Sequence, residues 1–416
     1  MDHSDRDINI DTEHEKVPID LDSIKKYDKK TDHHSLTHVN FLIFIVLVGL
    51  GFIRVLPALK TAISHTTEKH AGESIYAPSN EKPPHKSLLY RLIPSMRGWE
   101  VKRHYGNYVI VRETGEKIWE EMPLYARIGM HLLFSGKVEE KVVESHPIRH
   151  LFEVESKRQG QYYDSPHSIK SIPSFIKHYN IKTDELLEPD ISKYRCFNEF
   201  FYRKLKPDAR PPASPDDDNV VVSAADCRLN VYQDIELAKK IWIKGKHFTI
   251  AELLQDRELA LEFDGGSIAI FRLAPQDYHR FHSPITCMVG SAKHINGAYF
   301  TVNPMAINEN LDVFTENVRS TLLLHPKDPD ASKVAFVAVG ALLVGSIKFT
   351  VKEGNRISKG DELGYFAYGG STIICLWRKG EIKFDEDLVS NSKSTLETLV
   401  KAGMRIGAKP SAPVSE

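Results

Sequence analysis

The sequence predicts an α+β protein with an N-terminal membrane anchor and a helical segment, followed by a mainly antiparallel β domain. Three observations lead there. Residues 39–59, VNFLIFIVLVGLGFIRVLPAL, are apolar and almost uncharged. Residues 91–206 place apolar residues at helical spacing, as in MPLYARIGMHLLFSG (122–136) with its closing glycine. From 219 onward, short β-branched and aromatic runs are separated by Gly, Asp and Asn.

In chain order, residues 1–38 are polar and charged without apolar periodicity, which reads as a disordered tail. They contain no Arg-rich, acid-poor stretch of the mitochondrial presequence type. Val39–Ile53 alone is short for a bilayer core, which takes about 20 helical residues. Extension through Leu59 reaches that length when Arg54 snorkels to the interface. A buried helix or a hairpin dipping into one leaflet is the alternative. A single span is expected, because a polar tail precedes it and a linker (60–90, Pro/Ser/Lys-rich at 76–88) follows. Lys25, Lys26, Lys29 and Lys30 precede the span, and Arg54, Lys60 and Lys69 lie at its far end or beyond. That bias puts the amino terminus on the cytosolic or matrix side and the bulk of the chain opposite.

Within 91–206, SIPSFIKHYNI and CFNEFFYRKLK read as further amphipathic helices. The second carries Phe197, Phe200, Phe201 and Leu205 on one side, with Arg203, Lys204 and Lys206 nearby. It fits either a core-facing helix or a surface meeting acidic headgroups. KPDARPPASPDDDN (206–219) is a proline-rich, then acidic, boundary. The β domain, 207–416, follows. In VKEGNRISKGDELGYF (351–366), Gly354, Gly360 and Gly364 punctuate short strands in the grammar of lipoyl- and biotinyl-type hairpins. The lysine such a carrier modifies at its hairpin tip is missing: the next turn reads Gly-Gly-Ser.

Composition excludes some classes. The chain has 416 residues, with Lys+Arg 55 against Asp+Glu 56 and a net charge of -1. No nucleic-acid partner is indicated. Cys196, Cys227, Cys287 and Cys375 form no CxxC pair and read as buried free thiols rather than a disulfide framework or zinc knuckle.

The Gly369-Gly370-Ser371 turn admits four readings. It could be a geometric turn. It could be a phosphate loop, but it lacks the P-loop spacing and lysine. It could be a nucleophile elbow, but Ile373 stands where the second glycine belongs. Or the Ser371 hydroxyl could attack the carbonyl before it, which glycine leaves open. The last path gives an ester, then β-elimination to dehydroalanine, then a pyruvoyl end. A base and an orienting group would be needed. Asp226 in SAADCRLN and His279 and His282 in APQDYHRFHSP are the candidates, with Asp277 a further partner. A strand-end Asp is otherwise a turn or cap. HxxH could hold a metal on a helix, but no third ligand or HExxH accompanies it, so no metal is expected.

SAAD, APQDYHRFHSP, YFTVNPMAIN, VAVGALLVGSI and GGST occur in the order seen in phosphatidylserine decarboxylase proenzymes, and MPLYARIGM, QYYDSPHSIKSI and FNEFFYRKLKPDARP are similar to that family too. The resemblance covers roughly residues 120–408. Its most specific parts are DYHRFHSP and GGST together. The Gly-Gly-Ser form matches one branch; others carry Leu-Gly-Ser. The resemblance implies self-cleavage between Gly370 and Ser371 into a β subunit (1–370) and an α subunit (371–416), paired as a heterodimer or a dimer of these. Matching the family motifs implies Asp226, His282 and Ser371 as the self-processing triad, with Ser371 becoming the covalent pyruvoyl cofactor. His279 matches the histidine of decarboxylation. The implied reaction converts phosphatidylserine to phosphatidylethanolamine at a membrane. An endomembrane compartment is expected, with the mitochondrial inner membrane as the alternative. Rival readings are a serine hydrolase using Ser371, His282 and Asp226, and a non-enzymatic lipoyl-like binding module.

Overall fold

The computed structural model describes residues 106–121, 154, 157–158, 160–243, 248–298, 312–340, 347–367 and 371–410, within the compact unit Leu59–Glu416. The expected tail, anchor and linker, and the 122–136 helix, lie outside the described residues. Among the described residues no helix is long and apolar enough to cross a membrane.

The fold is mixed α+β with mostly antiparallel sheets. The largest sheet has ten strands. From one edge they are β11 (Arg356–Ile357), β7 (Cys287–Ile295), β8 (Arg319–Pro326), β9 (Val334–Val339) and β13 (Ser371–Trp377). Then follow β5 (Ser267–Leu273), β4 (Cys227–Tyr232), β15 (Glu397–Val400), β1 (Gly106–Val111) and β2 (Lys117–Glu121). A second sheet joins β10 (Ile347–Phe349), β12 (Glu362–Phe366) and β6 (Arg280–His282); a third joins β14 (Lys383–Phe384), β16 (Arg405–Ala408) and β3 (Val220–Val222).

β13, STIICLW, is a continuous run rich in β-branched residues and buried along its length, as a strand covered on both faces should be. It pairs with β5 from Ser371↔Leu273 to Trp377↔Ser267, and with β9 from Thr372↔Val339 to Leu376↔Ala335. Side chains alternate between faces. Ile373, with Phe271, Leu229 and Ala338, packs toward Phe281, Leu363 and Phe366. Ile374, with Ile270 and Val337, packs toward Trp242, Phe248, Leu253 and Phe263. Those last residues lie on or beside short helices such as Ile250–Leu254, capped by Thr249 through the Glu252 amide.

The structure sharpens two readings of 91–206. First, the segment is not helical throughout: residues 106–121 are a hairpin. GNYVIV has one aromatic followed by three β-branched residues, and the turn after it uses Gly115 at φ +71. β1 then runs parallel to β15, with Ile110↔Thr398 in register. Second, of the two readings of CFNEFFYRKLK the core-facing one is what the structure shows. Phe197, Phe200 and Phe201 lie at 0% exposure in a cluster with Tyr163, Ile172 and Phe175. Removing each phenylalanine from water is worth about 1.5–3 kcal/mol. Arg203 is buried as well, while Lys204 and Lys206 are exposed. SIPSFIKHYNI does hold a helix, Ile172–Tyr179, ended by Asn180 in the left-handed region at φ 50.

The glycine punctuation at 351–366 is realised at Gly354 and Gly360, whereas Gly364 lies inside β12. Gly354 and Gly360 both sit at φ +85, and a Cβ on Gly364 would lie 2.1 Å from the Lys348 carbonyl. Gly360 differs from Gly354 in its surroundings: its Cβ would meet Pro212 at 3.0 Å, whereas Gly354 faces open space. Gly354→Ala should therefore cost about 1–2 kcal/mol for the left-handed backbone alone. Gly360→Ala should cost more, read as a lower urea midpoint than that of Gly354→Ala. Equal midpoints for the two variants would contradict the assigned contact with Pro212.

Candidate active site

The segment after β5 is built around a tight turn. Asp277 donates its amide to the Ala274 carbonyl at 2.9 Å, and its carboxylate accepts from the Ala274 amide at 2.7 Å. The turn brings the Asp277 carbonyl under the next imidazole, where His279 Nδ1 donates to it at 2.9 Å. Nδ1 therefore carries a proton, and Nε2 is the nitrogen left to exchange one. The His279 ring lies against Phe201, centroids 4.0 Å apart, at 0% exposure. The buried aromatic cluster thus fixes the ring plane.

Three residues on, His282 ends β6. Its Nδ1 donates to the Gly360 carbonyl at 2.8 Å, and its Nε2 accepts from the Tyr278 hydroxyl at 3.2 Å. The left-handed turn at Gly360 is what aims that carbonyl. Burial depresses the His282 pKa. The Gly360 bond and the charges of Glu362 and Asp226 only partly oppose this, so the imidazole is neutral at pH 7.

Ser371 opens β13. It shares a sheet face with Ile373 and Leu273, the face that packs against Phe281. It is fully buried, and its Oγ makes no hydrogen bond among the described residues. Serine and base are thus held apart in partnership: His282 is bonded to Gly360 and Tyr278, and Ser371 to neither histidine.

Asp226 lies between β3 and β4. Its oxygens accept from Arg210 Nε at 2.9 and 3.1 Å, from Arg210 Nη2 at 2.7 Å and from the Ala402 amide at 2.9 Å. It does not hydrogen-bond His282. The two are linked through main chain, because the His282 amide donates to the Ala224 carbonyl at 2.8 Å, and through the Asp226 charge, which favours the imidazolium. A hydrolase triad with a direct Asp–His bond is therefore not assembled.

On the opposite sheet face lies a cluster of buried charges. Arg228 and Arg272 are cross-strand partners, and Thr372 is next in the same row. Arg228 binds Glu120, Nε to Oε1 at 3.0 Å, and also binds Asp277. Arg272 binds Glu397, Nε to Oε1 at 2.8 Å, and approaches Glu120 at 3.7 Å. Burial alone would raise the Glu120 pKa, but the two guanidiniums outweigh it and hold the carboxyl below its usual range. Arg228 is driven the other way: its carboxylate partners overcome desolvation and raise it. Through Asp277 this cluster reaches the turn that carries His279.

Comparison with known proteins decides what this arrangement belongs to. The profile described as phosphatidylserine decarboxylase matches residues 197–408, about half of the chain. A phosphatidylserine decarboxylase proenzyme of Clostridium novyi is 42% identical over 254 residues, 61% of this chain and 84% of that protein. The chain belongs to the phosphatidylserine decarboxylase family. Phosphatidylserine decarboxylase proenzyme 2 of Komagataella phaffii is 48% identical over 308 residues, 73% of this chain. Proenzyme 3 of Schizosaccharomyces pombe is 48% identical over 298 residues, 72% of this chain. This chain spans 30% of the length of each of those two yeast relatives. The matched family region takes in Asp226, His279, His282 and Ser371, whereas β1 and β2 precede it.

Several site residues escaped the sequence reading. Tyr278 sits inside DYHRFHSP, and its place between the two histidines was the available signal. Arg210 lies in a stretch read as a boundary and as part of a family-like motif, without a role of its own. Glu120 and Arg228 carry no local signal, since their contact joins residues 108 positions apart.

The neutral burial of His282 has a stability consequence. Its folded pKa lies below the ordinary value of 6.5, so the unfolded chain binds the extra proton first. The stabilisation is present above pH 6.5 and is lost as pH falls through the folded value. Urea midpoints at pH 7 and pH 5 should fall more steeply for the native sequence than for His282→Gln. Parallel curves would contradict a neutral buried imidazole.

Proposed function

We propose that the chain is a self-cleaving phosphatidylserine decarboxylase whose cofactor is a pyruvoyl group made from Ser371. The observation that supports this best is the Ser371 hydroxyl itself: fully buried, without a hydrogen-bond partner among the described residues, and placed directly after Gly-Gly at the first residue of a central strand. A structural serine there would waste a buried polar group, at a cost of about 1–3 kcal/mol. A nucleophile awaiting its base is the better account.

His282 supplies the base. Its Nδ1 is fixed as the donor to Gly360, so Nε2 holds the lone pair, and burial keeps that lone pair free of a proton near neutrality. To act, Nε2 exchanges the Tyr278 hydroxyl for that of Ser371. Asp226, clamped by Arg210, stabilises the resulting imidazolium through its charge. Ser371 Oγ attacks the Gly370 carbonyl carbon, the C–N bond breaks, and the nitrogen takes the proton, leaving an ester. Removal of the Ser371 α-proton then expels the Gly370 carboxylate. The dehydroalanine takes up water and releases ammonia, leaving a ketone at the new chain end.

The residues around Ser371 fit such a group: a buried chain end on a strand held along both edges. The ketone supplies the electron sink that decarboxylation of an amino-acid headgroup requires. His279 is the residue that delivers a proton to the carbon losing CO2, with Asp277 and Phe201 holding the imidazole in place. The fragments 1–370 and 371–416 stay associated, because three strands of the second lie between strands of the first or beside them. A diacyl substrate calls for a bilayer nearby, and residues 39–59 are proposed as the anchor. An endomembrane compartment is the proposed location, with the mitochondrial inner membrane the alternative.

Two variants test these roles separately. Ser371→Ala should neither cleave nor decarboxylate. His279→Ala should cleave normally, while decarboxylation of phosphatidylserine in mixed micelles falls by about 10²–10⁴. A Ser371→Ala chain that still cuts, or full turnover by His279→Ala, would overturn the corresponding role.

A further inference from the structure

The β1–β2 hairpin precedes the residues that the family profile matches, and most of its long-range partners lie beyond Ser371. β1 runs parallel to β15 with Val109↔Glu397, Ile110↔Thr398 and Val111↔Leu399 in register, and the Arg112 amide donates to the Leu399 carbonyl at 3.2 Å. Arg112 then reaches three sites on the same fragment. Its Nε donates to Asp387 and its Nη2 to Asp385, each at 2.8 Å, and Nη1 donates to the Arg405 carbonyl. Lys401 bonds Glu113 at 2.9 Å, and Asn107 donates to Glu397 at 2.7 Å. Glu120 at the far end of the hairpin turns back to the upstream strands, binding Arg228 and lying beside Arg272.

We infer that hairpin 106–121 is a clasp that holds the 371–416 fragment on the sheet once the chain is cut. The inference rests on the cleavage reading above. Before the cut, β15 is tethered through the covalent chain, and the clasp adds little. Afterward, the fragment is retained only by non-covalent pairing and packing. Without β1, β15 would become the edge of the ten-stranded sheet, and Glu397 would lose its Asn107 partner. Arg112 is the centre of the clasp, because its guanidinium engages two carboxylates and a carbonyl that all belong to the fragment. Charge-assisted hydrogen bonds of this kind are the strong ones.

The test uses the purified, cleaved protein. Arg112→Ala should release the 371–416 fragment on the order of tenfold faster in intermediate urea, followed by size exclusion under native buffer. A second variant probes the docking itself. Ile110→Cys with Thr398→Cys places two thiols on partnered strand positions, within disulfide reach. The four native cysteines are buried and free, so mild oxidation should join only the new pair. The two fragments should then migrate as one species on a non-reducing denaturing gel and separate on reduction. Unchanged release by Arg112→Ala, or cleaved protein in which the cysteine pair does not join, would overturn the clasp. An uncut native chain would instead end the cleavage reading on which it rests.

Discussion

The backbone pairing of Ser371–Trp377 is the constraint on which the other features depend. This strand is hydrogen-bonded to β5 on one edge and β9 on the other, with both faces buried. Its first residue is therefore a fixed point even if the chain before it is broken. Serine chemistry at a loop tip would release the product end into solvent. At the head of a central strand, the same chemistry leaves the new end inside the protein. The positions of both histidines can be read relative to that strand: Phe281, between them, packs in the same core cluster as Ile373 and Leu273.

Electrostatics then divides the two sheet faces. Beside Ser371 its face carries Leu273, Ile373 and Phe271, with no buried charge among them. The other carries Arg228 and Arg272 with Glu120, Asp277 and Glu397. Desolvating such groups costs several kcal/mol per ion, and leaving one unpaired costs about 3–5 kcal/mol. The cluster is tolerable because its guanidiniums have carboxylate partners in hydrogen-bonding geometry. It also joins elements distant in sequence, from the hairpin at 106–121 to the turn beneath His279. The sheet edge and the turn beneath the candidate proton donor are in this way parts of one network of paired charges.

Much of this was legible in the residues. The runs VVV, CRLNVY, SIAIFRL, VAFVAV and STIICLW are strands because β-branched runs bounded by Gly, Asp or Asn have few alternatives, and Gly354 and Gly360 take the left-handed turns their spacing suggests. The four thiols are buried and free. Other features depend on partners far away in sequence. GNYVIV is rich in β-branched residues, yet it stands in a segment whose other runs carry helical spacing in the sequence. Whether FNEFF meets lipid or core depends on Tyr163 and Phe175, which local periodicity does not reveal. The Asp226–His282 pairing implied by motif order is indirect in the structure, because Arg210 claims both carboxylate oxygens.

The central claim is covalent, and intact-mass measurement of the purified protein tests it most directly. The account predicts two chains that separate under denaturing conditions, the smaller having the mass of residues 371–416 with a ketone in place of the serine amine end. A single catalytically competent chain of full length, carrying an ordinary serine at 371, would contradict it.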